Sequence, residues 1–350
     1  MKPPKLSVVA TSRNDDHGGN LLQRTQLFVD GLAEQAERFG VPLELLLVEW
    51  NPPSDRAGLA DTLRWAPKEN FHPHVITVSP EVHHNFPHAE ALPLFQMIAK
   101  NAGIRRAGAE YVLATNIDIL IGDELFAFMR DSLQPHALYR VDRYDVRADL
   151  DGDRLPTPDE CRTLPVIRKH TLDGMEYPSG SSHPSQGVWH PGGLGVIPAV
   201  REASRLAMAA WDRVALPRLH TLACGDFTLT SRKVWESLRG YPEWPVYSWQ
   251  LDGVPMFQAY AAGVEIVNLP APMAVYHLEH GEGSGWTPEG SRRLFGRLDR
   301  AGIPYLSTQA YRKVARKLVR GRGFQPFNSA DWGLASVQLA SWGPTYNAVG

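Results

Sequence analysis

The sequence predicts an α/β fold of Rossmann-like type, with a mostly parallel central sheet and helices on both faces. In the first third of the chain, continuous apolar runs that end in polar residues alternate with amphipathic helical runs. The composition, 43% apolar and 21% charged residues over 350 positions, is ordinary for a globular protein with a substantial core. In sheets of this kind, ligands bind at the carboxyl ends of the strands.

The individual elements follow from local periodicity. Continuous apolar runs predict strands at 6–12, 43–50, 74–79 and 111–115. Apolar residues at helical spacing predict helices at 21–40, where Gly40 ends the pattern, and at 92–108.

The second half of the chain is less regular. From Leu138 to about Pro191 the sequence is rich in Gly, Pro, Ser and His and has no apolar periodicity, so we predict an irregular region there. Strand and helix patterns return at 222–244 and at 252–270, and one basic helix follows Ser307.

Charge and cysteine content narrow the class of protein. Lys and Arg number 36 against 38 Asp and Glu, which gives no electrostatic reason to expect a nucleic acid partner. Two distant cysteines, the lack of an apolar leader and the lack of a membrane-length apolar run predict a cytoplasmic protein. We expect at most peripheral contact with the inner membrane face, through the basic stretch 311–323; a solvated helix face is the alternative.

The loop after the first strand, TSRNDDHGGN at 11–20, is the first candidate site. Arg13 has the donors to reach a phosphate, and Gly18 and Gly19 allow backbone amides to approach closely. The loop contains neither GxGxxG nor a Walker lysine pattern, so neither of those phosphate-binding mechanisms is predicted. A solvated turn that caps the next helix is the alternative.

A second candidate is the turn ATNID at 114–118. Its carboxylate, amide and carbonyl oxygens suit Mg²⁺ or Mn²⁺, with substrate phosphates as further ligands. Taken alone, Asp118 is equally well explained as a turn-forming residue.

The second half of the chain offers three further groups. Asp226 follows Gly225 at a strand start, and Asp252 precedes a helix, where it is either an N-cap or a general base. The segment YHLEHGEGSGW at 276–286 contains His277 and His280, whose spacing suits zinc, although a strand and a Gly-rich loop surround them instead of the helix of zinc proteases.

Taken in order, these segments resemble a GT-A-type glycosyltransferase, close to the family-2-like sugar transferases of bacteria. The resemblance covers roughly residues 6–285. It is carried by four stretches: the TSRND loop, AKNAGIRRAGAEYVLATNIDIL, GDFTLTSRKVWESLRGYPE and LDGVPMFQAYAAGVEIVNLP. Two positions depart from the family pattern: Asn116 stands where the first acid of the D-x-D motif is expected, and Leu251 stands where a Glu precedes the general base.

The resemblance implies roles for individual residues. Asp118 corresponds to the metal-binding acid, and His277 or His280 to the histidine that completes the metal shell. Asp252 corresponds to the general base, and Asp226 is expected near the donor sugar or the acceptor. The remaining expected contacts surround the nucleotide, and they are Ser12, Arg13, Glu49, Asn51, Lys100, Asn101 and Asn116.

The function implied is transfer of a sugar from a nucleotide-sugar, UDP- or GDP-linked, to a hydroxyl of a glycan or glycoconjugate, with inversion and with help from Mn²⁺ or Mg²⁺. A GT-A fold would then comprise a nucleotide-binding half at 1–135, an acceptor-side half at 136–306, and a C-terminal helix and tail at 307–350. Two alternatives stay open: a nucleotidyltransferase on a related core, and a catalytically silent nucleotide-sugar-binding protein.

Overall fold

A computed structural model describes residues 3–152, 154–178, 216–280, 290–321 and 324–344. These residues form a mixed α/β fold with one sheet of eight strands and one of five. The strands of the eight-stranded sheet are, in their spatial order, β11 (Glu265–Asn268), β6 (Ala137–Arg140), β10 (Thr228–Ser231), β4 (Tyr111–Ala114), β1 (Leu6–Ser12), β2 (Leu43–Trp50), β3 (Phe71–Val78) and β13 (Ala340–Trp342).

The predicted parallel sheet is confirmed at the centre of this larger sheet. Strands β4, β1, β2 and β3 pair in parallel, in the positions that the apolar runs predict. Both flanks are mixed, because β10 pairs antiparallel with β4 and β6, and β13 pairs antiparallel with β3. Since β10 and β11 come from the second half of the chain, both halves contribute to one sheet.

Ten helices of the described residues accompany the sheets. They are α1 (Leu21–Phe39), α2 (Leu59–Thr62), α3 (Pro80–His83), α4 (Gln96–Arg106), α5 (Asp123–Asp131), α6 (Pro158–Arg162), α7 (Arg232–Leu238), α8 (Val254–Ala261), α9 (Ser291–Arg300) and α10 (Thr308–Arg320). None of them is long and apolar enough to cross a bilayer.

Helices cover both faces of the large sheet, as predicted. Val8 of β1 belongs to the same buried cluster as Phe28 of α1, whereas the next residue, Val9, packs with Ile98 of α4 on the opposite face. Helix α4 approaches β1 so closely that a Cβ at Gly103 would lie 2.5 Å from Val9. The sheet is therefore buried on both sides, which explains its continuous apolar strands.

The prediction of an irregular region after Leu138 is wrong for residues 138–178. Besides β6, that stretch contains β7 (Asp142–Val146), β8 (Val166–Thr171) and β9 (Gly174–Glu176). With β5 (Ile119–Ile121) and β12 (Ala274–Leu278), these three strands make the second sheet, in the order β5-β12-β7-β8-β9. Asp145 and His170, which are polar, are nevertheless buried in it, so the apolar pattern of a strand is missing. The rest of the predicted irregular region, 179–191, lies outside the described residues.

The C-terminal tail returns to the large sheet. Strand β13 adds to the edge of β3, and Arg106 at the end of α4 donates hydrogen bonds to the carbonyls of Gly333, Leu334 and Val337. These contacts satisfy a guanidinium whose pKa is lowered by burial.

Candidate metal and active site

The candidate site lies at the carboxyl edge of the large sheet, where the two sheets meet. Strands β1 and β4 run parallel, so the loops after Ser12 and Ala114 leave the sheet at the same edge. The second of these loops runs directly into β5 of the second sheet. Asp118 lies in this short connection and is buried, with 7% of its surface exposed.

Strand pairing brings two histidines to Asp118. Strands β5 and β12 are antiparallel, and the amide of Leu278 donates to the carbonyl of Asp118 over 2.9 Å. His280 Nε2 lies 3.0 Å from Asp118 Oδ2, and His277 Nε2 lies 3.7 Å from the same oxygen. One ligand atom from each of the three side chains lies within 4.8 Å of the others, which is the spacing of atoms that share a metal ion.

Arg24 on α1 is a fourth member of this cluster, and the sequence analysis did not identify it. Its guanidinium donates to Asp118 Oδ2 over 3.2 Å and to the carbonyls of His17 and Gly19 in the loop after β1. The signal in the sequence was a charged residue on the apolar face of a helix, between Leu21 and Phe28. Arg24 thereby ties the first loop to the candidate metal ligand.

Electrostatics keep Asp118 ionised. Burial raises the pKa of its carboxyl group, but the nearby His277, His280 and Arg24 outweigh burial and hold that pKa well below its ordinary value. Burial also lowers the pKa of His280, which Asp118 only partly offsets. An ionised carboxylate and a neutral imidazole are the forms that bind metal ions.

The three side chains fit a divalent metal ion. Asp118 Oδ1 is buried and finds no hydrogen-bond partner in the part of the chain that the structure describes. His277 Nδ1 lies 3.2 Å from Asp145 Oδ1, so a second carboxylate supports the ring while Nε2 faces Asp118. An unpaired carboxylate oxygen beside two oriented imidazole nitrogens is a donor set for such an ion.

The second candidate group, Asp252, lies in a 3-10 turn (Leu251–Gly253) just before α8. Its Oδ2 accepts a hydrogen bond from the amide of Gly225 over 2.7 Å. The N-cap interpretation is therefore wrong, because the carboxylate bonds to a distant loop and not to its own helix. Burial raises the pKa of Asp252, which makes it a stronger base than an exposed aspartate.

Lys100 of α4 lies behind the same loop and is fully buried. Its Nζ donates to Asn116 Oδ1 over 2.8 Å and to the carbonyl of Gly225 over 2.6 Å. Burial lowers the pKa of Lys100 to about 8, and Asp226 and Asp252 oppose that shift. The ammonium therefore positions the Asn116 turn and the Gly225 peptide from inside the protein.

The side chains of this second cluster converge on Gly225. A Cβ built there would lie 3.3 Å from Asp252 Oδ2 and 3.7 Å from both Asn116 Nδ2 and Lys100 Nζ. Because glycine has no side chain, these polar groups can approach the backbone at Gly225 closely, and a methyl group there would be in tight contact with Asp252.

Asp226 connects the two clusters. Its Oδ1 accepts from Asn116 Nδ2 over 2.5 Å, and its Oδ2 accepts from Arg143 Nη1 over 2.6 Å. Arg143 Nε lies 2.8 Å from Asp145 Oδ1, and Asp145 is the carboxylate that contacts His277. A continuous chain of ionic and polar contacts thus joins the candidate metal ligands to the loop that holds Asp252.

Other predicted nucleotide contacts lie near the same edge, but their side chains are engaged with the protein. Arg13 Nε donates to the carbonyl of Asn51 over 2.6 Å, and Asn51 Nδ2 donates to the carbonyl of Pro93. Glu49 Oε1 accepts from the amide of Leu59 over 2.9 Å, and burial raises its pKa. The roles predicted for these three residues stay predictions.

Ser12 and Asn101 occupy different surroundings. Ser12 ends β1, and its buried hydroxyl has no hydrogen-bond partner within the described ranges. Asn101 is fully buried on α4, where its amide nitrogen donates to the carbonyl of Tyr241 and its oxygen accepts from the amide of the same residue. The structure therefore gives Asn101 a supporting contact with a turn, and a nucleotide contact stays a prediction.

No protein-family model and no curated protein sequence matches this chain. Similar solved structures include the crystal structure of TarS from S. aureus, with 13% identity and a TM-score of 0.41. The match covers 79% of this chain and 37% of the TarS chain, so this chain spans well under two thirds of TarS. A likeness at this TM-score carries no function over to this chain.

Proposed function

We propose that this chain is a glycosyltransferase that moves a sugar from a nucleotide-sugar donor to an acceptor hydroxyl. One observation carries the proposal. The cluster of Asp118, His277 and His280 and the buried carboxylate of Asp252 both lie next to the turn that follows β4, at the carboxyl edge of the sheet. The turn contains both Asn116, which belongs to the Asp252 cluster, and Asp118, which belongs to the metal cluster. This pairing supplies what glycosyl transfer requires, a cation for the leaving group and a base for the acceptor.

The donor side is the cluster of Asp118, His277 and His280. Two imidazoles beside one carboxylate favour Mn²⁺ over Mg²⁺, which prefers oxygen ligands. When bound, such an ion offsets the negative charge that grows on a departing nucleoside diphosphate. The first loop, with Ser12 and Arg13, borders this position and would contact a UDP- or GDP-linked donor.

The acceptor side is Asp252. Its carboxylate takes the proton of the acceptor hydroxyl as that oxygen forms its bond to the anomeric carbon. The bond between the anomeric carbon and the diphosphate oxygen breaks, and its electron pair leaves with the diphosphate. The amide of Gly225 holds the carboxylate in place, and Lys100 in turn holds the carbonyl of Gly225.

The engagement of Asp226 favours inversion. Both of its carboxylate oxygens bind other side chains, one from Asn116 and one from Arg143, so it is not placed as a free nucleophile. With Asp252 as the one available carboxylate of this cluster, a single displacement that inverts the anomeric centre is expected.

Thermal unfolding against a panel of nucleotide-sugars and nucleoside diphosphates, with and without Mn²⁺, tests the donor side. A ligand at 100 times its dissociation constant adds about 2.7 kcal/mol to the free energy of unfolding. We expect a Mn²⁺-dependent shift with one nucleotide class, lost in Asp118→Ala and kept in Asp173→Ala, which changes an exposed carboxylate. A panel without any shift contradicts the proposal.

Release of nucleoside diphosphate in the presence of an acceptor tests the chemistry. Asp252→Asn should keep the nucleotide-dependent shift and lose turnover by a factor of about 100 to 10,000. A shift without turnover in the unmodified protein would instead identify a silent binding protein. Release of pyrophosphate from a nucleoside triphosphate would identify a nucleotidyltransferase.

A further inference from the structure

Arg140 is a buried charge that the proposed reaction does not use. It ends β6 and is fully buried. Its Nε donates to the carbonyl of His220 over 3.1 Å, and its Nη2 donates to the carbonyl of Leu222 over 2.6 Å. No carboxylate in the described part of the chain forms an ion pair with this guanidinium. Because burial of a charge that has only neutral partners is costly, we expect the loop that contains these two carbonyls to depend on it.

That loop, residues 220–226, is bound from behind along most of its length, and we call it the clamped loop. Buried side chains bind five of its backbone carbonyls, two of them through Arg140. The other three bonds run from Thr228 Oγ1 to Cys224, from Lys100 Nζ to Gly225 and from Thr115 Oγ1 to Asp226, over 2.9, 2.6 and 2.7 Å. The donors belong to β6, β10, α4 and the end of β4, so the clamped loop is tied to the large sheet and to one of its helices.

The clamped loop contains a residue in an unfavourable backbone conformation. Ala223 has a φ of 53°, in the left-handed region, and its carbonyl accepts from the amide of Asp226 over 3.1 Å. A residue with a Cβ keeps this conformation only where its surroundings hold it. The carbonyl that precedes Ala223 is the one of Leu222, which Arg140 binds. Arg140 therefore holds the turn at the position where it is strained.

The amide side of the clamped loop binds the proposed base. The amide of Gly225 donates to Asp252 Oδ2 over 2.7 Å. This N–H and the carbonyl of Cys224 belong to one planar peptide group, and Thr228 binds that carbonyl. The direction of the N–H toward Asp252 therefore depends on how the carbonyls of the clamped loop are held.

Arg140 also acts on Asp252 through its charge. Burial raises the pKa of Asp252, and the negative charge of Asp226 adds to that rise. The Gly225 amide and the positive charges of Lys100 and Arg140 oppose it. A cation at position 140 thus favours the ionised carboxylate, which is the form that a general base needs.

We propose that Arg140 is a positioning residue for Asp252, which it orients through the clamped loop. The guanidinium fixes the carbonyls of His220 and Leu222, and the clamped loop then presents the Gly225 amide to the carboxylate. The role of Asp252 as a base rests on the proposed function, whereas the effect of Arg140 on the carboxylate can be measured without any reaction. An arginine that only stabilised the fold would leave the properties of Asp252 unchanged.

Titration of the Asp252 carboxyl group tests the proposal without donor or acceptor. Carbon NMR of protein with isotope-labelled aspartate carboxyl groups follows its ionisation, and the spectrum of Asp252→Asn identifies its signal. The midpoint should rise in Arg140→Gln, because the variant lacks the positive charge. The matched control is Arg106→Gln, since Arg106 also binds backbone carbonyls, but those of the C-terminal tail. This control should leave the midpoint unchanged.

Turnover tests the consequence for the proposed reaction. In Arg140→Gln we expect kcat for release of nucleoside diphosphate to fall by about 10- to 100-fold, because small displacements at a reacting centre are costly. The Mn²⁺-dependent thermal shift with nucleotide should stay, since Asp118 and its two histidines are a separate cluster. Arg140→Lys keeps the charge but lacks the planar fork that binds two carbonyls, so it should retain more activity than Arg140→Gln.

An Asp252 midpoint that is the same in Arg140→Gln and in the unmodified protein overturns the proposal, whether or not the protein transfers a sugar. Equal falls of kcat in Arg140→Gln and Arg106→Gln also overturn it, because the loss would then not be specific to the clamped loop. A raised midpoint in a protein without turnover supports the proposal and contradicts the proposed function instead. If Arg140→Gln does not fold, Arg140→Lys decides, and an unchanged midpoint together with unchanged kcat in that variant overturns the proposal.

Discussion

His277 Nδ1 lies 3.2 Å from Asp145 Oδ1, while Nε2 of the same ring lies 3.7 Å from Asp118 Oδ2. Asp145 is fully buried and also binds Arg168 Nε over 2.6 Å. A carboxylate that is fixed in this way sets the direction of the imidazole and increases its basicity as a ligand. We therefore expect Asp145 to position His277 at the candidate metal site.

Asp145→Asn should weaken Mn²⁺ binding by about 10- to 100-fold, because the amide no longer carries the charge that supports His277. Calorimetric titration of the folded protein with Mn²⁺ measures the affinity without any turnover. Asp173→Asn, at an exposed position, is the control and should leave the affinity unchanged. Equal Mn²⁺ affinity in Asp145→Asn and in the unmodified protein would show that Asp145 does not support the metal site.

Because Lys100 is buried, we expect the stability of the protein to depend on pH. Burial lowers the pKa of Lys100 from its ordinary value of 10.5 to about 8, so the unfolded chain binds the additional proton more tightly. The cost of burying the ammonium is fully present below pH 8 and is relieved as the pH rises toward 10.5, by about 3 kcal/mol in total.

Urea unfolding of the unmodified protein and of Lys100→Met, at intervals from pH 7 to pH 10.5, measures this effect. The unmodified protein should gain stability relative to Lys100→Met across that range, since the variant has no amine to titrate. A difference between the two proteins that does not change with pH would contradict the buried ammonium.

We expect a substitution at Gly225 to reduce activity without unfolding the protein. In Gly225→Ala the new methyl group would lie 3.3 Å from Asp252 Oδ2 and would displace the carboxylate. We expect kcat/KM to fall by about 10- to 100-fold, because small displacements at a reacting centre are costly, while the free energy of unfolding changes by about 1 kcal/mol or less. Gly296→Ala is the control, since a Cβ there meets only the end of the Arg300 side chain, at 3.5 Å. Full activity in Gly225→Ala would show that Gly225 is not part of the active site.

His83, which ends α3 and is buried against Trp50 of β2, is expected to make the stability of the protein sensitive to acid. Trp50 Nε1 donates to His83 Nδ1 over 2.8 Å, and His83 Nε2 lies 3.0 Å from the carbonyl of Ala89, so the neutral ring satisfies both contacts. Burial lowers the pKa of His83 below its ordinary value of 6.5. Its contribution to stability is therefore complete above pH 6.5 and is lost as the pH falls through the lowered pKa, where protonation of Nδ1 breaks the bond from Trp50.

Unfolding free energies at pH 7.5 and pH 5 measure this contribution. The loss of stability between the two values should be smaller in His83→Gln than in the unmodified protein. His136→Gln changes an exposed histidine and should behave like the unmodified protein. Equal acid sensitivity in all three proteins would show that the buried ring plays no part.

The sequence by itself determined the elements whose signal is local. Strands β1 and β2 and helix α1 lie where periodicity predicts them, because their buried faces repeat with the period of the backbone. Strands β7 and β8 were missed for the converse reason. Their buried positions hold Asp145 and His170, whose partners lie on other strands, and no pattern within one segment reveals such a pairing.

The sequence identified individual residues of the candidate site, but it did not show how they come together. The resemblance to sugar transferases nominated Asp118, His277, His280 and Asp252 one at a time. Only the antiparallel pairing of β5 with β12 brings both histidines to Asp118, and only the fold of the Gly225 loop places Asp252 on the same side as Lys100. Contacts between residues more than 100 positions apart depend on the packing of whole strands and helices, so tertiary structure decided what the local sequence left open.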